Sequence, residues 1–243
     1  MRILIVRHGD PDYEIDSLTE KGWGEAGHLA ERLASEKIDA FYVSPLGRAK
    51  DTASLTLKCT GRTAEEKEWL KEFPVRIRRP DRDDKKMIAW DWLPQDWTKD
   101  ERFYSAEHWT EPEAMAEADT KAEYDRVCGE FDKLLAEHGY VRDGKLYRAE
   151  RPNNDTICLF CHFGLECVLL SHLLNVSPMV LWHGFCAAPT SVTTVMTEER
   201  RKGIVSFRVS AFGDVSHLYV HREEPSFSAR FCECFDNEEE RHD

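Results

Sequence analysis

The chain has 243 residues and a formal net charge of −13, a length that allows one large domain with or without an insertion. An acidic chain repels polyphosphate backbones, and aspartates interrupt the densest basic stretch, between Arg76 and Arg82, so nucleic acid is not an expected partner. No apolar run reaches membrane-spanning length, so a membrane is not an expected partner either.

The N-terminus predicts a cytoplasmic protein. Met1 leads straight into an apolar run, which leaves no room for an export signal. The eight cysteines are therefore expected to be thiols, because the cytosol keeps them reduced.

One cysteine pattern could be a cofactor or metal site. The stretch from Cys158 to His162 matches the sequence motif of a haem-attachment site. Its two cysteines and its histidine could also be zinc ligands, and Cys232 and Cys234 could complete such a zinc site. The same stretch has the pattern of a buried strand, in which Cys158 and Cys161 point to opposite faces. We therefore expect two small core residues, with a zinc site as the alternative.

The first predicted element is a short strand over 3–6 that is apolar throughout, as in a strand buried on both faces of a parallel sheet. Arg7, His8 and Gly9 follow it directly. Ligands of open α/β sheets bind beyond the carboxyl ends of the strands. Arg7 and His8 therefore lie where a site is expected.

A helix, a strand and a second helix follow. Apolar residues at intervals of three and four, after N-cap residues, predict a helix from about 19 to 36. A strand over 41–43 ends at Ser44-Pro45, which predicts a helix that starts there. Arg48 then lies in the first turn of this helix, where backbone amides already favour an anion.

Between about 73 and 112 the periodicity breaks down around four prolines and four tryptophans. Long segments of this kind inside a compact domain are usually functional insertions, and we interpret this one as a cap over the crevice. Its tryptophans form either a small core of their own or a wall against an apolar or ring-bearing substrate.

The second half supplies another strand end at the same crevice. A buried strand is predicted over 156–161, and a strongly apolar helix over 165–174. His162 lies between them, at the mouth of the crevice that also holds His8. Two further strands precede an acidic tail over 223–243.

The predicted sheet brings four side chains from distant segments to one edge. These side chains, called here the Arg–His cup, are Arg7, His8, Arg48 and His162. Arginine pairs with phosphate oxygens in a bidentate way that lysine cannot reproduce, so a phosphoryl group is the natural occupant. The amides of the helix that begins at Phe163 would add to this anion site.

The chain has neither a Gly-rich loop ending in Lys-Ser/Thr nor a carboxylate cluster spaced for magnesium. Side chains must therefore neutralise the moving phosphoryl group. An unprotonated imidazole is nucleophilic and available near neutrality. We predict that His8 attacks phosphorus, forms a phosphohistidine and passes the group to water, while the rest of the Arg–His cup holds the equatorial oxygens.

An alkoxide leaving group needs a proton, which a carboxyl near the site would supply. Glu72 is the leading candidate because it lies at the junction between the core and the predicted cap. Asp91, Asp96 and Glu166 are the alternatives.

Four stretches resemble the motifs of one enzyme family. They are Val6-Arg7-His8-Gly9, Leu18-Thr19-Glu20-Lys21-Gly22 with Ala26, Ser44-Pro45-Leu46-Gly47-Arg48-Ala49 with Thr52-Ala53, and Cys161-His162-Phe163-Gly164. Through these stretches the chain resembles the histidine phosphatase superfamily, also called the phosphoglycerate mutase-like family, over 1–60 and 155–220.

The resemblance implies an α/β fold, a three-layer α/β/α sandwich with a mostly parallel central sheet. It also implies a phosphohistidine at His8, a phosphate pocket formed by the rest of the Arg–His cup, and a proton donor at Glu72. No metal and no cofactor are expected in such a family.

Two departures from the family pattern bear on the substrate. Members often have glycine where this chain has Phe163. The larger Phe163 side chain is expected either to narrow the floor of the pocket or to stack against a substrate. Mutases usually follow Arg-His-Gly with a Glu-Ser or Gln-Thr step, whereas this chain continues Asp10-Pro11-Asp12-Tyr13. This difference favours a phosphatase over a mutase.

We therefore expect a metal-independent phosphatase that hydrolyses a phosphorylated small molecule. The expected organisation is one domain over 1–222 with the cap at about 73–112, followed by the acidic tail 223–243. The alternatives are a phosphoglycerate-type mutase and a non-catalytic module that binds a phosphorylated ligand. The sequence indicates no particular oligomeric state.

Overall fold

An eight-stranded mixed sheet lies at the centre of the computed structural model, which describes residues 1–79, 85–228 and 230–242. The strands, in chain order, are β1 (Arg2–Arg7), β2 (Pro11–Asp12), β3 (Ser17–Leu18), β4 (Ala40–Val43), β5 (Glu65–Glu66), β6 (Arg76–Ile77), β7 (Met87–Ile88), β8 (Tyr140–Asp143), β9 (Leu146–Ala149), β10 (Thr156–Cys161), β11 (Val192–Arg201) and β12 (Ile204–Asp214). The helices are α1 (Glu20–Ala34), α2 (Gly47–Thr60), α3 (Pro94–Trp97), α4 (Glu113–Ala116), α5 (Thr120–Glu137), α6 (Phe163–Leu174), α7 (Pro178–Gly184) and α8 (Ser216–Val220), with 3₁₀ turns at Glu68–Leu70 and Glu101–Tyr104. Within the described residues, no helix combines the length and the apolar character needed to cross a membrane.

The order of strands across the main sheet is β5-β4-β10-β1-β11-β12-β9-β8. The strands from β5 to β1 run parallel, whereas every pairing from β1 to β8 is antiparallel. Helices pack on both faces, so the expected three-layer α/β/α class is confirmed. The detail of a mostly parallel sheet was wrong, since antiparallel pairings outnumber parallel ones by four to three within the main sheet, as far as the described residues form it.

Two hairpins explain much of the antiparallel half. Gly144 (φ +60°) lies in the two-residue turn between β8 and β9, and Gly203 (φ +79°) lies in the turn between β11 and β12. Such turns need a positive φ that glycine adopts without strain, and strands joined by them must run antiparallel. The β8–β9 hairpin was not predicted from the sequence.

Alternate residues of β1 pack on opposite faces of the sheet. Ile3 and Ile5 belong to the core that contains α5 and α6, whereas Leu4 and Val6 belong to the core that contains α1 and α2. Burial of each such side chain contributes about 1.5–3 kcal/mol. Two cores therefore hold the register of β1, and with it the position of His8.

The same alternation separates the cysteines of β10. Cys158 packs in the core on one face and Cys161 in the core on the other, and both are fully buried. The two thiols cannot bind one metal ion together, so the zinc alternative was wrong and the expectation of two core cysteines is confirmed. Cys232 and Cys234 lie at the surface of the C-terminal segment.

The segment expected to form a cap contains β6, β7, α3 and a 3₁₀ turn, and its residues 80–84, including Arg82, lie outside the described residues. Three of its tryptophans are buried in the core that also contains α5 and α6, namely Trp92, Trp97 and Trp109. Trp90 is only partly buried and contacts Phe163. The tryptophans thus divide between the two interpretations, with three in a core and one beside the candidate site.

Three parallel strands deliver side chains to one edge of the sheet. Arg7 ends β1 and His8 follows it, His162 follows β10, and Ser44 follows β4. Because β4, β10 and β1 are neighbours in the sheet, these chain segments leave it side by side. The expected meeting of distant segments at one crevice is therefore present.

Candidate active site

His8 is held by backbone groups at the end of β1. Its N–H donates to the Cys161 carbonyl at 3.0 Å, and its Nδ1 lies 2.8 Å from the Gly9 carbonyl oxygen. A carbonyl oxygen can only accept a hydrogen bond, so the proton of the neutral ring lies on Nδ1. Nε2 then carries the free lone pair. The side chain is 2% exposed.

His162 lies beside His8, with 5.1 Å between the ring centroids and 56° between the ring planes. Its Nε2 is 2.8 Å from Ser44 Oγ. Ser44 was expected to cap a helix that starts at Ser44-Pro45, but α2 begins only at Gly47; the hydroxyl of Ser44 accepts the Leu46 N–H at 3.3 Å and also holds the imidazole. The expectation that Arg48 lies in the first turn of this helix is confirmed.

The two guanidinium groups of the Arg–His cup have different partners. Arg7 donates to the carbonyl of Ala187 at 2.5 Å, whereas Arg48 pairs with the Asp16 carboxylate at 2.6 Å. Three buried polar atoms of the cup have no hydrogen-bond partner among the described residues: Arg7 Nε, Arg48 Nε and His162 Nδ1. An unpaired buried polar group costs about 1–3 kcal/mol, so the arrangement favours a ligand rich in acceptors.

Both imidazoles are neutral in this environment. Burial, together with the charges of Arg7 and Arg48, holds the pKa of His8 well below its usual range. Burial also lowers the pKa of His162, as do His8 and the same arginines. His8 is therefore an unprotonated base with Nε2 free at physiological pH.

Glu72 lies at the N-terminus of α6, two residues after a 3₁₀ turn. Its Oε1 accepts the N–H groups of Leu165 at 2.9 Å and Phe73 at 2.8 Å, and its Oε2 lies 3.4 Å from the Gly164 nitrogen. Burial raises the pKa of Glu72, although these amides and the two arginines of the cup act in the opposite direction. The helix amides that the sequence suggested for the phosphate thus bind a carboxyl group.

Two aromatic side chains flank this carboxyl group. Phe163 lies with its ring 5.9 Å from the Arg7 guanidinium carbon, and Trp90 packs edge-on against it at 6.4 Å. A methyl group at Gly164 would lie 2.6 Å from the Trp90 indole nitrogen and 2.7 Å from Glu72 Oε1. The absence of a side chain at Gly164 therefore allows both groups to approach the cup.

The other candidate carboxyl groups have different surroundings. Asp91 lies 3.8 Å from Arg241, and Asp96 pairs with Lys99 at 3.0 Å. Glu166 is buried in the first turn of α6, where burial raises its pKa to about 7. Of the four candidates, Glu72 has amide contacts that hold it at the site.

Sequence reasoning did not single out three groups that hold the cup in place: Asp16, Ser44 and the Ala187 carbonyl. Asp16 has a positive φ of 49° and also accepts the Gly47 N–H at 2.7 Å. An Asp in a polar turn between two predicted elements signals local hydrogen bonding, but it does not name an arginine 32 residues further on as the partner.

The sandwich fold and the His–Arg pocket together define a phosphoryl-transfer enzyme. The profile of the histidine phosphatase superfamily (branch 1) matches residues 3–210. The chain therefore belongs to this superfamily, and the resemblance inferred from its motifs is confirmed.

Known proteins of related sequence or structure agree with this assignment. A 2,3-bisphosphoglycerate-dependent phosphoglycerate mutase of Thermoplasma acidophilum is 37% identical over 21% of this chain, a match that spans only 31% of that relative. A mutant phosphoserine phosphatase of Entamoeba histolytica in complex with phosphoserine shares the fold, with a TM-score of 0.58, 18% identity, and coverage of 89% of this chain and 98% of that one. A mycobacterial glucosyl-3-phosphoglycerate phosphatase in complex with VO3 gives a TM-score of 0.57 at 19% identity, over 87% and 98% of the two chains.

Proposed function

We propose that the protein is a metal-independent phosphatase that hydrolyses a phosphomonoester through a phosphohistidine on His8. The observation that carries the proposal is the contact between His8 Nδ1 and the Gly9 carbonyl, because it leaves Nε2 as the unprotonated, nucleophilic atom. The low pKa of His8 keeps this form populated at physiological pH.

In the first step, His8 Nε2 attacks phosphorus in line, a P–N bond forms, and the bond between phosphorus and the ester oxygen breaks. Arg7 and Arg48 donate N–H groups to the equatorial oxygens, where charge accumulates. His162 is the third group of the cup within reach of these oxygens. Arg7 is buried, and the Nε atoms of both arginines have no hydrogen-bond partner among the described residues, so these two N–H groups are available as the charge develops.

Glu72 supplies the proton that the departing oxygen needs. Its raised pKa favours the protonated form at the start of the cycle. Once the alcohol has left, the Glu72 carboxylate takes a proton from the water that attacks the phosphohistidine. The P–N bond breaks, phosphate leaves, and both side chains return to their initial states.

The proposed substrate is a phosphorylated small molecule. Two structures of similar fold contain phosphoserine and 3-phosphoglyceric acid. In this chain Phe163 and Trp90 beside the cup, and Tyr13 at 5.5 Å from the Arg48 guanidinium carbon, would contact the part of the substrate that lies beyond the phosphate. Tyr13 is 70% exposed and is free to change position on binding.

We also propose the cytoplasm as the compartment in which the protein acts. The buried cysteines of the described structure, Cys128, Cys158, Cys161 and Cys167, are free thiols. A reducing compartment keeps them in that state.

The experiment measures release of phosphate from p-nitrophenyl phosphate in EDTA by the wild-type chain, His8→Ala and a control, His108→Ala. His108 is exposed and pairs with Glu111, so its removal should leave activity unchanged. We expect His8→Ala to be inactive and the wild type to form an acid-labile phosphoryl label on histidine. Activity that survives in His8→Ala would exclude His8 as the nucleophile.

The same experiment separates the alternatives. The partial match to a phosphoglycerate mutase makes phosphoryl transfer within one substrate the second candidate. A mutase would move the label between positions of a phosphoglycerate and release little phosphate. A binding module would bind phosphate without turnover and without labelled histidine.

A further inference from the structure

Two histidines and two glutamates outside the Arg–His cup meet where α1 contacts the C-terminal segment. His28 and Glu31 lie one turn apart on α1, and His221 and Glu223 follow α8. Ligand atoms of His28, Glu31 and His221 all lie within 4.8 Å of one another. Among the described residues, these three form the group of His, Cys, Asp or Glu side chains whose ligand atoms are close enough together to share a metal ion.

The contacts in this group are reciprocal. His28 Nε2 lies 3.0 Å from Glu223 Oε2, and His221 Nε2 lies 3.2 Å from Glu31 Oε2. The two imidazole rings are stacked, with 3.8 Å between centroids and 16° between planes. Each ring thus directs one nitrogen toward a carboxylate that comes from the other chain segment.

We propose that His28, Glu31 and His221 bind a divalent transition-metal ion such as Zn²⁺, with Glu223 as the fourth ligand. Zinc takes imidazole nitrogen and carboxylate oxygen at about 2.0–2.2 Å, so neighbouring ligand atoms in a tetrahedral site lie about 3.4 Å apart. The two nitrogen–oxygen separations of 3.0 and 3.2 Å are close to this spacing. Two carboxylates also balance the charge of a divalent ion.

Little of the fold must change for an ion to enter. None of the four side chains is fully buried: those of His28, His221 and Glu223 are about a quarter to a third exposed, and that of Glu31 is 67% exposed. Each of them therefore has room to rotate about its side-chain bonds. Lys21 lies 3.7 Å from Glu223 Oε1, which leaves Oε2 for the ion. Coordination would replace the ring stack and the two His–Glu contacts.

The ion would fasten the C-terminal segment to α1. Three residues after Glu223, the Ser226 N–H donates to Glu25 at 2.9 Å and the Ser226 hydroxyl donates to Asp10 at 2.5 Å. Asp10 follows the Arg-His-Gly motif directly. A metal ion at this site would therefore stabilise the segment that supports the loop after His8, without touching the reacting atoms.

The test is calorimetric titration of the full chain with Zn²⁺ in a phosphate-free buffer. We expect the wild type to bind one equivalent and both His221→Ala and Glu31→Gln to bind more than about tenfold more weakly, because even loss of an outer-shell partner of a metal ligand costs about 10- to 100-fold in affinity. Mg²⁺ should give no comparable binding, since it prefers oxygen ligands. One equivalent of Zn²⁺ should also raise the Tm of the wild type and not that of His221→Ala.

Two controls locate the ion and verify folding. A Cys232→Ser, Cys234→Ser double variant should bind Zn²⁺ like the wild type, and a loss of binding there would move the ion to the tail thiols and overturn the proposal. Phosphate release by Glu31→Gln in EDTA should match the wild type, because Glu31 is exposed and lies outside the cup. Wild-type affinity in both His221→Ala and Glu31→Gln, or no binding by the wild type, would also overturn it.

Discussion

Replacement of Glu72 by glutamine tests the proton donor. In the structure Oε1 accepts the N–H groups of Phe73 and Leu165 at 2.8 and 2.9 Å. The carbonyl oxygen of glutamine can accept both, so Glu72→Gln keeps these two short hydrogen bonds and removes the transferable proton, with loss of the longer 3.4 Å contact to the Gly164 N–H. A positioned general acid contributes about 10²–10⁴-fold to the rate, equivalent to about 3–5 kcal/mol. We expect a loss of this size for an alkyl phosphate.

The assay compares kcat/KM for 2-glycerophosphate with kcat/KM for p-nitrophenyl phosphate. This ratio includes only the steps up to departure of the alcohol, so hydrolysis of the phosphohistidine does not affect it. The alkoxide of glycerol needs a proton, whereas p-nitrophenolate leaves without one. Glu72→Gln should therefore lower kcat/KM about 10²–10⁴-fold for 2-glycerophosphate and less than about tenfold for p-nitrophenyl phosphate.

The pH profile adds an independent criterion. Glu72 must be protonated to act, and burial raises its pKa, so kcat/KM for the glycerol ester should fall as pH rises through that pKa. The variant should lack this decline. Asp91→Asn and Asp96→Asn are the matched controls, because these carboxylates lie near Arg241 and Lys99 at the surface. An equal loss of kcat/KM for both esters in Glu72→Gln, or the same loss in Asp91→Asn, would refute the assignment of Glu72 as the proton donor.

Three further outcomes follow from the structure. Gly164→Ala should lower kcat/KM more than about tenfold by displacing Glu72, whereas Gly27→Ala, whose added methyl group meets nothing within 4 Å, should leave activity unchanged. Arg7→Lys should raise the inhibition constant of inorganic phosphate about 10- to 100-fold, because a charge-assisted hydrogen bond contributes about 1.5–3 kcal/mol and lysine lacks the planar fork. Burial raises the pKa of Glu25 from 4.5 to about 7. Between these two pH values the native state therefore binds more protons than the unfolded chain. The free energy of unfolding should fall as pH rises from about 4.5 to about 7. Urea unfolding at pH 5 and pH 8 should show a decrease of up to about 3 kcal/mol that is smaller in Glu25→Gln.

The parts of the site that follow from strand direction could be predicted from the sequence. The apolar run that ends at Cys161 has the bounds of β10, and the run before Arg7 forms β1. Neighbouring parallel strands end at the same edge of a sheet, so the meeting of His8 with His162 needed only the recognition of two buried strands. The distance of 5.1 Å between their ring centroids agrees with that inference.

The parts that depend on long-range hydrogen bonds could not be predicted from the residues alone. Ser44-Pro45 has the local chemistry of a helix start, but the helix begins at Gly47, and the hydroxyl of Ser44 also contacts an imidazole 118 residues away. Likewise, nothing local in the sequence pairs Asp16 with Arg48. The sequence made Glu72 the leading candidate through its place between the core and the predicted cap, and the family resemblance implied the same residue. Neither argument reveals that the amides at the start of α6 bind its carboxyl group.

The electrostatics of the cup explain why so acidic a chain can hold an anionic substrate. Asp16 pairs with Arg48, but no carboxylate among the described residues lies within ion-pair distance of Arg7, which donates to a neutral carbonyl. Burial, together with the charges of the two arginines, keeps both imidazoles neutral, so the net positive charge of the cup is mainly that of Arg7. In the proposed mechanism, a phosphoryl dianion compensates this buried charge and competes with Asp16 for Arg48. Its binding energy would then be concentrated on the oxygens around phosphorus, the atom that His8 is proposed to attack.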